Sequence, residues 1–502
     1  MRINPILAID SYKLGHITMY PDSISRTYLN LTPRSIKYLE RLIPSDFKYD
    51  NKIVAFGIEM AIKDIIDSFN QEFFQKPLDQ VIQVFSDIVA PFLGESEDIN
   101  KKVTEEIIKL YSYGHLPLVI KALPEGSLIP VQTPVLTITQ SVNDLPWLAG
   151  FLETYISQNT WKTMTTATVA RIYRKILEHF SELTCDNNDH LDWQGHDFAD
   201  RGMSGTEDAI KAGISHLTQF KGTDSVHSVY TAKYHYGFKS PFFGASVPAT
   251  EHSIMQLGIK EVSEKDTISR LIKQFPSGIL SVVCDTEDYW NTLTNILPSL
   301  KDEILARTPN SLGLAKFVVR PDSGDPVDVI CGVPYCKDSD TIYPEWKGSI
   351  EILWDTFGGT INAKGYKVLN PKIGLIYGDS ITPQRAYEIC KKLEAKGFAS
   401  SNVVFGIGSY AYNYHTRDTL GLAIKCTAAW DTDGNLIEVQ KLVKTDSGKK
   451  SAKGLLHVDS NFKTTDSATL EQEASGELKV IYANSTLYLE TDFETIRTRA
   501  QK

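Results

Sequence analysis

The sequence predicts an α/β fold whose second half is built on parallel strands buried on both faces. From about residue 190, short continuous apolar runs recur at 279–283, 317–319, 373–377 and 403–405. Helical segments lie between most of them, and each run stops abruptly in polar or glycine-containing residues. Unbroken apolar strands alternating with helices mark a parallel sheet covered on both sides, because a strand with one wet face would alternate instead. Both a barrel and an open doubly wound sheet fit this rhythm.

Taken in order, the first fifty residues are irregular apart from an alternation around Tyr28 that predicts a strand. Residues 53–74 predict a helix with Ile62, Ile65, Ile66 and Phe69 on one face, and 103–111 a shorter one. Strands are expected at 118–120 and 135–138, either side of the turn-forming Pro124-Glu125-Gly126. Residues 145–180 read as helix in two or more pieces. In the parallel half, 381–393 is the clearest intervening helix: Ala386, Ile389, Cys390 and Leu393 share a stripe, with Ser380 as the expected cap. Beyond about 427 the helical rhythm stops. Strands are expected at 436–439 and 478–482, flanking a loop rich in Lys, Ser and Gly at 444–454, and Thr491-Asp492-Phe493-Glu494 predicts a capping box before a last short helix. Neither a solenoid repeat nor a low-complexity tract is present.

Composition narrows the function classes. The 502 residues are 42% hydrophobic, enough for one large core or two moderate ones. The net charge, 52 − 62 = −10, argues against a general nucleic-acid or anionic-membrane surface but leaves room for a local phosphate pocket. Six cysteines lie at 185, 284, 331, 336, 390 and 426 with no C-x-x-C pair, so neither a zinc site nor a disulfide framework is expected; Cys331 and Cys336 read as loop thiols. The N-terminal apolar run 6–9 is broken by Asp10 and is too short for a signal sequence. A cytoplasmic protein is expected.

Chemistry is expected where the apolar runs end. They are followed in turn by Cys284-Asp285, Arg320-Pro321-Asp322-Ser323-Gly324, Gly378-Asp379-Ser380 and Gly406-Ile407-Gly408-Ser409. Barrel enzymes carry their reactive groups at the C-terminal ends of strands, and small residues there let backbone N–H groups approach an anion. Upstream lie His196-Asp197-Phe198-Ala199-Asp200-Arg201-Gly202, Phe220-Lys221-Gly222-Thr223-Asp224 and Ser246-Val247-Pro248-Ala249-Thr250-Glu251-His252-Ser253. An aromatic, cationic turns, a lone carboxylate and a histidine suit a flat polar ring held beside a phosphate.

Together with Asp10-Ser11-Tyr12-Lys13, these motifs follow one another in an order that resembles the nicotinamide phosphoribosyltransferases nearly end to end. The resemblance implies a type II phosphoribosyltransferase fold: an irregular TIM-like α/β barrel with a β-rich α+β domain formed from both chain ends. Residues 1–185 would be the first part of the β-rich domain, 186–426 the catalytic barrel, and 427–502 the part returning to the first domain. It further implies a homodimer with shared active sites. The reaction would join nicotinamide to 5-phosphoribosyl 1-pyrophosphate, giving nicotinamide mononucleotide and pyrophosphate in NAD synthesis. Mg²⁺ would be carried on pyrophosphate, and ATP would be a co-substrate hydrolysed through a phosphohistidine.

By the same resemblance, Phe198 stacks on the pyridine ring and Tyr12 of the partner subunit covers its other face, with Asp10 beside it. Asp224 accepts from the amide of nicotinamide and repels the carboxylate of nicotinate. Arg201 and Arg320 hold pyrophosphate or phosphate oxygens, Arg320 also reaching the base. Asp322 and Asp379, with Gly378, bind the ribose. Arg417 serves the 5′-phosphate alongside Gly408 and Ser409. His252 is the phosphorylated residue, with Asp285 as its expected orienting partner. One departure stands out: where the family usually has a run of glycines, this chain has Gly406-Ile407-Gly408-Ser409-Tyr410. The alternative readings are a nicotinate-specific transferase, which Asp224 opposes, and a non-catalytic nucleotide-binding barrel.

Overall fold

A computed structural model of the chain describes residues 4–89, 91, 97–334, 343–441, 452–489 and 492–502. Cys336, Thr491 and most of the 444–454 loop lie outside these residues.

The parallel half contains β1 (Gly195–Asp197), β2 (Gly222–Thr223), β3 (Gly278–Val283), β4 (Ala315–Arg320), β5 (Ile373–Tyr377) and β6 (Val403–Ile407). They form one parallel sheet in the order β2-β1-β6-β5-β4-β3. The short segment 245–249 joins its two edges. Ala245 pairs with Gly222 on one side, and Ala249 pairs with Ser281 on the other, both parallel. Ala245 N–H donates to Lys221 O (2.9 Å) and Ser281 N–H to Pro248 O (2.9 Å), so the sheet closes into a barrel. β5 is buried along its whole length, which is why it reads as an unbroken apolar run, whereas β4 alternates buried and half-buried positions.

The outer layer includes α1 (Thr206–His216), α2 (Val226–His235), α3 (His252–Glu261), α4 (Ser349–Phe357) and α5 (Pro383–Ala395). α5 begins at Thr382, whose hydroxyl accepts from Arg385 N–H at 3.2 Å, with Pro383 in the first turn. The expected cap, Ser380, instead sits in the left-handed region at φ 54°, two residues too early to face the helix.

Outside the barrel lies a seven-stranded antiparallel sheet drawn from both chain ends. Ile24–Thr32 pairs with Ala423–Asp431 on one side and Leu136–Gln140 on the other, and Lys479–Ala483 pairs with Leu118–Ala122. The helix Glu153–Thr184 packs against α1, α5 and the short strand Ile53–Ala55. Its 32 residues span about 48 Å. Some buried threonines along it turn their hydroxyls back on the helix: Thr160 donates to Ile156 O (2.8 Å) and Thr168 to Met164 O (2.7 Å).

Two elements correct the sequence reading. The helix expected from residue 53 starts at Ile58, and Ile53–Ala55 is a strand paired with Ser127–Ile129. Gly57 separates them at φ 86°, with Thr163 packed so tightly that a Cβ on Gly57 would lie 2.3 Å from its hydroxyl. Glu125 then caps the helix from across the fold, accepting from Gly57 N–H (2.6 Å) and Glu59 N–H (2.7 Å). The second is the helix expected at 103–111, which runs from Glu97 to Ser112. The last helix, Phe493–Ala500, is capped by Asp492. Among the described residues no helix is long and apolar enough to cross a membrane.

Candidate active site

The strand ends bring most of the expected residues to one mouth of the barrel. Phe198 follows β1, its N–H donating to Ile407 O (2.9 Å), so β6 fixes where it leaves the sheet. Its ring fits only because two neighbouring residues lack side chains. A Cβ on Gly378 would lie 2.7 Å from the ring, and one on Gly406 would lie 2.4 Å away. Phe198 is half-buried rather than a core aromatic. The Arg320 guanidinium lies 5.1 Å from the ring centroid, and the His196 ring is 5.0 Å away.

His196 links that ring to Asp224. Its Nε2–H donates to Asp224 Oδ1 (2.9 Å), and the Ser246 hydroxyl donates to the same oxygen at 2.5 Å. Among the described residues nothing donates to Oδ2. Burial pushes the Asp224 carboxyl up. The hydrogen bond and charge of His196, the Ser246 hydroxyl and the Arg320 charge outweigh it and hold the group below the usual carboxylate range. The neighbouring Asp197 behaves oppositely. Fully buried, it is pushed up to about 6 although Ala199 N–H and the Thr223 hydroxyl donate to it.

Asp285, after β3, ties three loops together. Oδ1 lies 3.3 Å from His252 Nε2, while Oδ2 accepts from Asp322 N–H (2.9 Å) and the Ser323 hydroxyl (2.7 Å). His252, the first residue of α3, keeps 43% of its side chain exposed beside an Asp285 that keeps only 4%, so the imidazole is oriented yet accessible. Arg320 Nη2 sits 3.5 Å from Asp322 Oδ2, and Arg320 Nε is buried without a partner. A buried guanidinium N–H left unpaired costs about 1–3 kcal/mol, which a bound anion or carbonyl would offset. Asp379 is exposed, and its Oδ2 accepts from the Ser380 hydroxyl (2.9 Å).

Arg201 lies in the turn Asp200–Gly202, exposed at the edge of the mouth. Gly202 is pressed against Ser409: a Cβ there would be 2.2 Å from its hydroxyl. Arg201, Gly408 and Ser409 therefore occupy one corner, and the space around Gly408 is open. Tyr410 points outward and its ring stacks on Tyr414 at 5.3 Å, so it does not close that corner.

Three expected residues lie in a second neighbourhood. Asp10 accepts from the Thr154 hydroxyl (2.6 Å) at the start of the helix Glu153–Thr184, and Tyr12 stands 58% exposed over His16. Arg417 pairs only with the adjacent Asp418 (3.2 Å) among the described residues, and no hydrogen bond or ion pair joins it to Gly408 or Ser409. Its charge is felt at Lys425 instead. Burial lowers the Lys425 ammonium and Glu153 opposes the shift, while Arg34, Lys441 and Arg417 lower it further. Within one chain no such bond joins Arg417 to the grouping expected with Gly408 and Ser409; it opens the short 3-10 turn Arg417–Thr419 that follows the helix Ser409–Asn413. Arg34 and Lys425, which the sequence reading missed, stand at the same end of one antiparallel strand pair: Lys425 lies opposite Asn30, and Arg34 follows that strand with its N–H donating to Leu420 O (3.0 Å). Among the described residues no three His, Cys, Asp or Glu side chains converge as a metal cage.

Comparison with known proteins identifies the family and the fold. The model of the nicotinate phosphoribosyltransferase (NAPRTase) family matches residues 193–483. A nicotinamide phosphoribosyltransferase of Acinetobacter baylyi is 46% identical over 99% of this chain and 97% of its own length. That of Mycoplasma pneumoniae is 36% identical over 89% of this chain and 94% of its own. Among solved structures, human nicotinic acid phosphoribosyltransferase superposes with a TM-score of 0.54 at 14% identity, covering 98% of this chain and 92% of that one. Nicotinate-nucleotide pyrophosphorylase from Pyrococcus furiosus gives 0.54 at 12%, covering 99% and 95%. At such identities these two speak for the fold alone.

Proposed function

Because the chain belongs to the nicotinate phosphoribosyltransferase (NAPRTase) family, we propose that it joins nicotinamide to 5-phosphoribosyl 1-pyrophosphate, releasing nicotinamide mononucleotide and pyrophosphate. The observation that carries the choice of nicotinamide is the state of Asp224. Its Oδ1 is claimed by His196 and Ser246, leaving an anionic Oδ2 for a donor. A carboxamide N–H₂ supplies that donor; the carboxylate of nicotinate would bring a like charge, at a cost of several kcal/mol.

The base lies on Phe198, gaining about 0.5–1.5 kcal/mol beyond burial. Its ring nitrogen forms the new bond to the ribose C1 as the bond to pyrophosphate breaks, and the bonding electron pair leaves with the pyrophosphate oxygen. Asp322 and Asp379 bind the ribose hydroxyls and stabilise the positive charge that develops between the two events. Arg201, Arg320 and the open backbone at Gly408 and Ser409 hold phosphate oxygens. Mg²⁺ carried on the substrate's pyrophosphate, when bound, would supply charge neutralisation to the leaving group beside Arg201 and Arg320. The second cluster, with Asp10, Tyr12, Arg34, Arg417 and Lys425, completes the mouth of the partner subunit in a homodimer. There Tyr12 covers the free face of the base and the cations meet the 5′-phosphate.

His252 accepts a phosphoryl group from ATP, with Asp285 orienting the imidazole. The exposed ring and buried carboxylate support that division of roles. Incubating the protein with the phosphoribosyl donor and nicotinamide or nicotinate, with and without ATP, tests the whole reading. Nicotinamide mononucleotide formed with nicotinamide alone, and accelerated by ATP, is expected. Equal turnover of nicotinate removes the Asp224 argument, and no product with either base leaves a non-catalytic barrel.

A further inference from the structure

The two loops at the phosphate corner leave different strands, yet one side chain from the second loop and one from a distant helix fasten them together. Arg201 belongs to the turn after β1; Ser409 opens the short helix Ser409–Asn413 after β6. Asn413, at the far end of that helix, donates from Nδ2 to Gly202 O (3.3 Å), next to Arg201. Its Oδ1 accepts from the Ser204 hydroxyl (3.4 Å) and from Lys162 Nζ (3.4 Å). Lys162 reaches in from the helix Glu153–Thr184 and is 2% exposed. Its ammonium also pairs with Asp208 Oδ1 (3.2 Å), and Asp208 Oδ2 accepts Ser204 N–H (3.0 Å). Beneath, Tyr412 and His216 Nδ1 lie 2.7 Å apart, anchoring the middle of the short helix to the end of α1.

A lysine is seldom buried this deeply unless paired, since removing its charge from water is costly. Here its partners do more than neutralise it: Asn413 closes the short helix that Ser409 opens, and Asp208, at the start of α1, holds Ser204 just past the Arg201 turn. The amide of Asn413 is divided, one atom for the ammonium and one for the Gly202 carbonyl. Lys162 thereby fixes which way the amide faces, and the amide fixes the Arg201 turn.

We propose that Lys162 and Asn413 are positioning residues for the phosphoribosyl donor, acting by holding the Arg201 turn against the Ser409 helix. This rests on the reading that Arg201, Gly408 and Ser409 bind its phosphate or pyrophosphate oxygens. Neither side chain touches the donor.

Steady-state kinetics with both substrates tests it. Asn413→Ala, and Asn413→Asp, which keeps the acceptor but loses the donor to Gly202 O, are each expected to raise the KM for the phosphoribosyl donor about five- to tenfold, the worth of one lost hydrogen bond with some loosening. The KM for nicotinamide should stay within about twofold, because Phe198 and Asp224 are held by other contacts. Lys162→Met should match Asn413→Ala, and Lys162→Arg should recover part of the loss; should Lys162→Met fail to fold, the two Asn413 variants decide. A merely structural role would instead lower the unfolding midpoint and raise both KM values together, and that result overturns the proposal. So does an unchanged donor KM in the Asn413 variants when Arg201→Ala raises it. An unchanged donor KM in Arg201→Ala overturns the phosphate reading itself, and the brace with it.

Discussion

The barrel mouth and the terminal cluster are built on opposite principles. At the mouth, charges are already answered: Asp224 by His196 and Ser246, Asp285 by His252, Asp322 N–H and Ser323, and Arg320 in part by Asp322. In the terminal cluster the cations are answered less fully. Burial lowers the Lys425 ammonium and Glu153 opposes the shift, while Arg34, Lys441 and Arg417 add weaker repulsion, and the exposed Tyr12 covers only its own helix neighbour. A preorganised site holds its groups ready for a substrate that forms there. A patch of mutually repelling cations has higher energy until an anion arrives. On the reading proposed above, the mouth is a finished half-site and the terminal cluster is the half that a second copy would use.

Mixing two variants breaks or sharpens that contrast most strongly. Phe198→Ala and Arg417→Ala should each lower activity about a hundredfold, judged from the base stacking and charged phosphate contact removed. Combined, unfolded and refolded together, they should recover about a quarter of wild-type activity, because half the dimers are mixed and each holds one intact site. No recovery would place both residues in the same site of one chain.

A smaller effect separates the base from the phosphate corner within the mouth. Gly406→Ala puts a Cβ 2.4 Å from the Phe198 ring. The KM for nicotinamide should rise about tenfold through the displaced ring, with the KM for the phosphoribosyl donor within about twofold. Equal rises in both would show that the ring does not act on the base alone.

The smallest concerns stability beneath the mouth. Burial lowers His216 to about 3, with His196 adding to the shift, while Gly222 O accepts from Nε2. Its folded pKa lies below the unfolded value near 6.5, so the unfolded chain binds the extra proton and stability falls as pH drops below about 6.5. By pH 5 this amounts to about 2 kcal/mol. His216→Gln should flatten that part of the urea-midpoint profile between pH 7 and 5; an unaltered slope would assign the acid sensitivity elsewhere.

Much of the barrel was legible because β3, β4, β5 and β6 are buried deeply enough to write continuous apolar runs. The segment that closes the ring was not. Ala245-Ser246-Val247-Pro248-Ala249 is short, partly polar, and carries a proline that cannot donate to a ladder. The strand–glycine–helix break at Gly57 was hidden in a run whose apolar spacing suits a helix throughout, since the left-handed φ of 86° and the close approach of Thr163, far away in sequence, are what require a glycine there. Phe198, Asp224, His252, Asp285, Arg320 and Asp322 could be named from their motifs because strand ends deliver them directly to the mouth. Arg417 makes no hydrogen bond or ion pair with Gly408 or Ser409 in its own chain, so one chain alone does not display the grouping expected of them. Arg34, Lys425, Lys162 and Asn413 carried no local signal, since their surroundings are made entirely by tertiary pairing.

On the function proposed above, a free carboxylate oxygen on Asp224 selects the uncharged base. That selection is read from kcat/KM for nicotinamide and for nicotinate in wild type and Asp224→Ser. The ratio is expected to move towards nicotinate by at least about a hundredfold, as removal of a like-charge clash worth several kcal/mol requires. A ratio that stays where it was, in a variant that still turns over, would contradict it.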